Sequence, residues 1–157
     1  MSVYQVLTNP NESLRVKAAP VKKINDGVLR VLDNMKETLY AEDGLGLAAP
    51  QIGVPKRIVV IDPGENLIEL INPEIVWTQG EQVQSEGCLS VPNTSGMVNR
   101  AFKVKVKALN RQGEEYEMEA EDLLARALQH EIDHLDGILF IDRAIDIRKK
   151  TYARDRK

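Results

Sequence analysis

The sequence has little that would place it outside a reducing compartment or in a membrane. One cysteine among 157 residues cannot form a disulfide within the chain, as expected for a cytoplasmic protein. The first residues, Met1 to Val6, lack the basic segment and apolar run of a signal peptide. No apolar stretch approaches the roughly 20 residues that cross a bilayer. These absences predict a cytoplasmic protein with no membrane contact.

The strong positive charge of a nucleic-acid-binding protein is also missing. The net charge is −3, which argues against DNA binding. Residues 143–157 contain seven basic and two acidic residues, so they carry +5 and leave −8 for the preceding 142. We expect a single domain over residues 1–157 with a basic C-terminal tail from about residue 143. The basic residues in its last ten positions are Arg148, Lys149, Lys150, Arg154, Arg156 and Lys157.

Apolar residues at helical spacing predict two helices. The first begins near Asn25 or Asp26, either of which can cap it. The second runs from about Asp122 to Asp136, and Gly137 is well placed to end it. The second helix has three faces: an apolar one with Leu124, Leu128, Ile132 and Leu135, a polar one with Arg126, Gln129, Asp133 and Asp136, and a third with Ala127, His130, Glu131 and His134.

Strands are predicted in the segment between these two helices. Residues 57–62 and 67–72 have strand composition and are separated by a Pro-Gly turn signal. Strict alternation of apolar and charged residues over 103–107 and 115–119 predicts a hairpin. Lysines on its first strand would face glutamates on its second, each opposite pair contributing about 0.2–1 kcal/mol.

The chain's two histidines both fall in the sequence Gln129-His130-Glu131-Ile132-Asp133-His134. Histidines at i and i+4 lie on one helix face, where both rings can reach one metal ion. Glu131 lies beside them and could take a proton from a metal-bound water. Two unrelated surface histidines are the simpler reading, but H-E-x-x-H is the usual pattern of a hydrolytic metal site. Such a site needs a third protein ligand.

The single cysteine, Cys88, is the candidate for that ligand. Lone cysteines are most often buried as small hydrophobic residues. Cys88 instead follows a glycine and a polar run, which predicts a tight strand or turn presenting its side chain. A thiolate with two imidazoles would form a three-ligand site for zinc or ferrous iron. A nucleophilic cysteine–histidine pair is the rival use, although it needs only one histidine.

A third cluster is the glycine-rich segment Gly44–Gln51, which reads Gly-Leu-Gly-Leu-Ala-Ala-Pro-Gln. It matches the dinucleotide pattern G-x-G-x-x-A, but that pattern follows a strand and opens a helix. Here a helix precedes the segment, and Pro50, Gly53 and Pro55 prevent another from starting. The segment is also too apolar for a flexible surface loop. We expect its glycines to let another backbone approach closely.

Together the three clusters resemble peptide deformylase, a family that removes the formyl group from the N-terminal methionine of new bacterial and organellar proteins. Its motifs G-x-G-x-A-A-x-Q, E-G-C-x-S and Q-H-E-x-D-H match residues 44–51, 86–90 and 129–134 in the family's order. The resemblance implies an α+β fold with antiparallel β-sheets around a central helix carrying H-E-x-x-H. It also implies that metal-activated water attacks the formyl carbon.

The resemblance further implies residue roles. The metal ligands would be Cys88, His130 and His134, and Glu131 would be the general base. Gln51 and the backbone N–H of Leu89 would stabilise the oxyanion. The substrate cleft would be lined by Gly44, Leu45 and Gly46, and the methionine pocket bordered by Glu86, Leu123 and Ala127. Arg126 would have to point its charged head to solvent if it joined that pocket.

Ferrous iron is the metal that the resemblance implies, with Zn²⁺, Ni²⁺ or Co²⁺ as substitutes, whereas the ligand types alone favour zinc. The expected partners are formylmethionyl nascent peptides, and the ribosome through the basic tail. A small zinc metallopeptidase is the alternative enzyme. A structural zinc site with no open position is the alternative outside catalysis.

Overall fold

The computed structural model of the chain describes residues 2–149, which form eight strands and three α-helices. The helices are α1 (Asp26–Ala41), α2 (Asp122–Leu135) and α3 (Phe140–Arg143), and two 3-10 turns cover Glu12–Arg15 and Ala49–Ile52. The strands are β1 (Gly46–Ala48), β2 (Ile58–Ile61), β3 (Ile68–Gln79), β4 (Gln82–Cys88), β5 (Val91–Arg100), β6 (Lys103–Leu109), β7 (Glu115–Glu121) and β8 (Ile147–Lys149).

The strands form two antiparallel sheets. One has five strands in the order β1-β2-β3-β6-β7, and the other has three in the order β4-β5-β8. Every pair of neighbouring strands is antiparallel. The predicted α+β class with antiparallel sheets and a central helix is confirmed.

The five-stranded sheet has a helix on each face. Strand β2 is buried along its whole length, because its alternating side chains enter two different cores. Val59 and Ile61 pack with Leu128 and Leu135 of α2. The opposite residues, Ile58 and Val60, pack in a second core with residues of α1, namely Leu32, Met35 and Leu39. Helix α2 is buried from Ala125 to Leu135, apart from the half-buried Gln129, whereas its first two residues are exposed.

Both long helices begin close to the predicted positions, and the second also ends close to its predicted end. Asn25 caps α1, its side chain accepting from the Val28 N–H at 3.0 Å. Helix α2 ends at Leu135, and Gly137 follows with a left-handed backbone at φ +76°. A side chain at Gly137 would also collide with the Arg15 carbonyl, since its Cβ would lie 2.5 Å from that oxygen. Glycine is thus required there on two counts.

The predicted charged hairpin is formed by β6 and β7. Lys105 lies opposite Glu119, but its ammonium contacts the diagonal neighbour Glu117 at 3.2 Å, and Lys103 contacts Glu119 at 3.6 Å. These ion pairs are partly exposed, so each contributes about 0.2–1 kcal/mol to the stability of the fold. The two predicted central strands are also present, although β3 extends seven residues beyond the predicted end at Asn72.

The first residues of the predicted basic tail have regular secondary structure. Arg143 belongs to α3, and residues 147–149 form β8, which pairs with Thr94, Ser95 and Gly96 of β5. The folded unit therefore continues through Lys149 and includes the start of the predicted tail. Lys150, Arg154, Arg156 and Lys157 lie outside the described residues.

Among residues 2–149, no helix is both long and apolar enough to span a bilayer.

Candidate metal centre and substrate cleft

Two elements bring the three predicted metal ligands together. Cys88 ends β4 and is followed by a two-residue turn, Leu89–Ser90, into β5. His130 and His134 lie on one face of α2. The three ligand atoms lie within 4.8 Å of one another, and Cys88 Sγ is 3.3 Å from His134 Nε2. A sulfur and a nitrogen bound to one tetrahedral ion are about 3.6 Å apart, so the arrangement fits a metal ion.

Glu86 orients the first histidine. His130 Nδ1 lies 2.9 Å from Glu86 Oε1, and because an ionised carboxylate only accepts, Nδ1 carries the proton. That leaves Nε2 of His130 as the metal-binding atom. Burial acts to raise the pKa of Glu86, but hydrogen bonds from His130 and Arg100 outweigh it and lower the pKa to about 2. Glu86 is therefore ionised at neutral pH. A carboxylate that accepts a hydrogen bond from a histidine ligand raises the basicity of that ligand.

The two histidines have very different pKa values when no metal is bound. Burial lowers the pKa of His134 to about 3, so its ring is neutral and able to coordinate. Burial also acts to lower the pKa of His130, but Cys88 and Glu86 outweigh it and raise the pKa to about 10. A metal ion that binds here must therefore displace a proton, as is usual for sites built from cysteine and histidine.

Glu131 lies beside the ligands and is almost fully buried. Burial raises the pKa of its carboxyl to about 7. Its Oε1 atom has no hydrogen-bond partner within the described part of the chain. The side chain lies against Gly46 of β1, where an added Cβ would be 2.9 Å from Oε2. The sequence predicted that these glycines admit another backbone, but at Gly46 the structure shows the Glu131 side chain instead.

Gln51 is held with its amide nitrogen toward the ligands. It lies in the 3-10 turn Ala49–Ile52, and its Oε1 accepts from the Ala48 N–H at 2.9 Å. Nε2 then donates to Ser90 Oγ at 3.0 Å and lies 3.7 Å from Cys88 Sγ. The Ala48 bond thus defines which end of the amide faces the centre. The glycine-rich segment forms strand β1 followed by this turn, and the backbone hydrogen bonds of both hold Gln51 in place.

A cleft of about 740 Å³ opens over the centre. Its walls come from the segment around Gly44, from β4 and the start of β5, and from one face of α2. The predicted site residues that line it are Gly44, Leu45, Gly46, Gln51, Glu86, Cys88, Leu89, Leu123, Ala127, His130 and Glu131. Leu123 is 57% exposed and forms part of the rim, whereas Ala127 is buried. The cleft is long enough to extend to Asn93, Thr94 and Ser95.

Residues 3–150 match the family described as polypeptide deformylase. The chain belongs to this family. Its deformylases are metal-dependent hydrolases that remove the formyl group from the N-terminal methionine of nascent peptides, and this chain is a hydrolase of that kind. The alternative of a small zinc metallopeptidase is not favoured.

Relatives match over nearly the whole chain. The peptide deformylase of Syntrophomonas wolfei is 68% identical over 148 residues, which are 94% of this chain and 97% of that one. A Legionella pneumophila peptide deformylase crystal structure has TM-score 0.88 and 46% identity, covering 91% of this chain and 86% of that one. A Met-Ala-Ser-bound crystal structure of the Acinetobacter baumannii peptide deformylase has TM-score 0.85 and 37% identity. The match covers 90% of this chain and 98% of that one.

The exposure of Arg126 was predicted wrongly from the sequence. We expected its charged head in solvent, but its side chain is only 6% exposed and lines the cleft. Asp133, predicted on the same polar face, is also buried and binds Arg100 and Arg143. The spacing did contain a signal, because Arg126 stands three residues after Leu123 and four before His130. The hydrogen-bond acceptors that stabilise its buried guanidinium lie on strands distant in the sequence. The spacing of residues along the helix therefore could not predict them.

Proposed function

We propose that this chain hydrolyses the formyl group of formylmethionyl peptides at a metal held by Cys88, His130 and His134. The observation that carries the proposal is the convergence of the three ligand atoms within 4.8 Å, two of them, from Cys88 and His130, on residues that line the cleft. Beside them lies a buried carboxylate, Glu131, with an oxygen unpaired among residues 2–149. Two donors, Gln51 and the Leu89 backbone, line the same cleft.

Glu131 is assigned as the general base. When bound, a divalent ion lowers the pKa of a water ligand, so that a nucleophile is available near neutral pH. Glu131 takes the proton that this water loses. It then returns the proton to the leaving amine nitrogen as the C–N bond breaks, which gives formate and a free N-terminal methionine. Burial raises the pKa of the Glu131 carboxyl, which favours its acid form and so helps it to hold the proton between the two transfers.

Gln51 and Leu89 are assigned to the developing negative charge. As the formyl carbon becomes tetrahedral, its oxygen gains charge and accepts from Gln51 Nε2 and the Leu89 N–H. The Gln51 amide is already oriented by Ala48 and Ser90, so little reorganisation is needed during the reaction. Removing one such donor typically costs about 10²–10³ in kcat.

The peptide is proposed to bind along the cleft as an added strand. Gly44, Leu45 and Gly46 form the wall with which an extended peptide can pair through backbone hydrogen bonds. The methionine side chain would enter between Glu86, Leu123 and Ala127. The Met-Ala-Ser bound to the Acinetobacter relative has the sequence of a deformylated product, which supports a peptide as the substrate here.

Ferrous iron is proposed as the working metal, with zinc, nickel or cobalt able to replace it. One thiolate and two imidazoles suit either Fe²⁺ or Zn²⁺, and the family resemblance favours iron. Iron and its thiolate ligand are both oxidisable. Protein purified without oxygen should therefore contain iron and lose activity in air, while the nickel-loaded form should persist. Equal loss of activity in the two forms would contradict iron oxidation as the cause.

The Glu131→Gln variant tests the proposed chemistry. With formyl-Met-Ala-Ser as substrate, we expect wild-type protein to release formate and the variant to lose about 10²–10⁴ in kcat. Bound metal should stay the same, because Glu131 is not a ligand. A variant that loses its metal but keeps its rate per bound metal would refute the assignment. A peptide with a blocked N-terminus and no formyl group distinguishes deformylation from cleavage of internal peptide bonds.

The ribosome is proposed as a partner through the basic residues at the C-terminus, and the cytoplasm as the location in which nascent chains are met. Basic side chains that bind ribosomal phosphates release counterions, so binding should weaken steeply with salt. The matched test compares the full chain with one ending at Lys149 in co-sedimentation at two salt concentrations. Ending the chain at Ala144 would confound the result, because it deletes β8, which pairs with the cleft residues Thr94 and Ser95.

A further inference from the structure

Arg126 joins α2 to the three-stranded sheet one helical turn before His130. Its guanidinium donates to Gln82 Oε1 at 3.2 Å and to the carbonyl oxygens of Gln82 and Val98 at 3.2 and 3.1 Å. It also donates to Glu86 Oε2. Every one of these acceptors belongs to β4 or β5. A buried cation with four bonds to the neighbouring sheet is a fixed link between that sheet and the helix.

The carboxylate that Arg126 binds is itself part of the metal environment. Glu86 Oε1 accepts from His130 Nδ1 and from Arg100 Nη2, both at 2.9 Å. Its Oε2 accepts from Arg100 Nε at 2.5 Å and from Arg126. Glu86 also lies two residues before Cys88 on the same strand. The position of Glu86 therefore affects both the ring of one ligand and the strand that carries another.

Arg100 holds the same carboxylate in a different way. Arg100 and Glu86 are on adjacent strands of one sheet, so their ion pair stays within that sheet. Within residues 2–149, Arg100 reaches the helix through Asp133, next to His134, at 3.0 Å. Arg126 gives Glu86 a second direct bond to the helix, one turn before the bond to His130 and on the side of the substrate cleft.

We infer that Arg126 is a positioning residue for the metal centre: by binding Glu86 it holds strand β4 and Cys88 at a set distance from the helix that carries His130 and His134. The inference rests on the proposed function, since it takes these three residues as the metal ligands. Arg126 acts through Glu86 and does not touch the metal. Residues that orient a histidine ligand in this way typically change metal affinity by about 10–100-fold.

Arg126→Met is the principal test, because it removes the guanidinium and keeps an unbranched apolar stem in the cleft wall. Arg143→Met is the matched control: Arg143 binds Asp133 from α3 and has no bond to Glu86 among its described contacts. Zn²⁺ affinity is measured by competition with a chelator, and coordination geometry by the absorption spectrum of Co²⁺-loaded protein. We expect Arg126→Met to weaken Zn²⁺ binding about 10–100-fold and to alter the cobalt spectrum, whereas Arg143→Met changes neither.

Arg126→Lys supplies a second comparison that keeps the charge. One ammonium cannot reach Glu86 and both carbonyl acceptors at once, so its zinc affinity should fall between the wild type and Arg126→Met. Wild-type zinc affinity and cobalt spectrum in both variants, with only a lower melting temperature of the metal-free protein, would overturn the inference. Failure of the proposed function would look different, because zinc-loaded wild type would not release formate from formyl-Met-Ala-Ser.

Discussion

Adding one methyl group at Gly46 should displace Glu131, the proposed general base, without disturbing the proposed metal ligands. An ideal Cβ at Gly46 lies 2.9 Å from Glu131 Oε2 and 3.0 Å from Glu131 Cγ. Ordinary van der Waals contact begins at 3.4 Å, so the side chain must move by about half an ångström. Gly46 does not have a positive φ, so alanine fits its backbone, and the perturbation is confined to that contact.

The expected loss in kcat is about 10-fold to 10²-fold, because misplacing a catalytic group by 1 Å can cost about 10²-fold. The effect should appear in kcat more than in metal content, since Glu131 is buried and no metal ligand lies among the atoms nearest the added methyl. Steady-state kinetics with formyl-Met-Ala-Ser, divided by bound metal per protein, measures it.

Gly27→Ala is the matched control for Gly46→Ala. It adds the same methyl group in the first turn of α1, where the nearest atom is Asn25 Oδ1 at 3.2 Å. The Asn25 oxygen must shift by a few tenths of an ångström, and the better helix propensity of alanine offsets that cost. Full kcat at full metal occupancy in Gly46→Ala would show that Glu131 does not need its observed position, which would refute the reasoning.

Three further variants test other parts of the molecule. Cys88→Ser should lose most of its bound metal in equilibrium dialysis, since a neutral hydroxyl replaces a thiolate; full occupancy would exclude Cys88 as a ligand. Gln51→Ala should keep its metal and lower kcat about 10²–10³-fold, and a loss confined to KM would contradict its assigned role. Leu128→Ala, at a fully buried position, should lower the free energy of unfolding in urea by about 2–5 kcal/mol; a change below 1 kcal/mol would mean that the core closes around the cavity.

The elements whose residues interact locally were predictable from the sequence. Alternation over residues 103–107 and 115–119 gave the hairpin, because a strand turns successive side chains to opposite faces. The spacing of His130 and His134 placed both on one helix face, because four residues make about one turn. The cysteine was matched to the histidines through the chemistry of metal ligands and a family resemblance, without any knowledge of the sheet that carries it.

The environment of each site residue depended on tertiary contacts. The exposed or buried state of Arg126 depends on acceptors at Gln82, Glu86 and Val98, which lie 28 to 44 residues away in the chain. Likewise, Gly46 faces a carboxylate that lies 85 residues later. Helical periodicity reports which residues share a face, but not what packs against that face.

The sequence by itself determined which groups are available for the proposed chemistry: a cysteine, two histidines on one helix face, and a glutamate between them. Only the tertiary structure decided how these groups are held. It placed Glu86 against His130, buried two arginines around that carboxylate, and joined residues 147–149 to the sheet beside the cleft. The physical reason is that a buried charge is stable only with partners, and those partners come from strands far apart in the sequence.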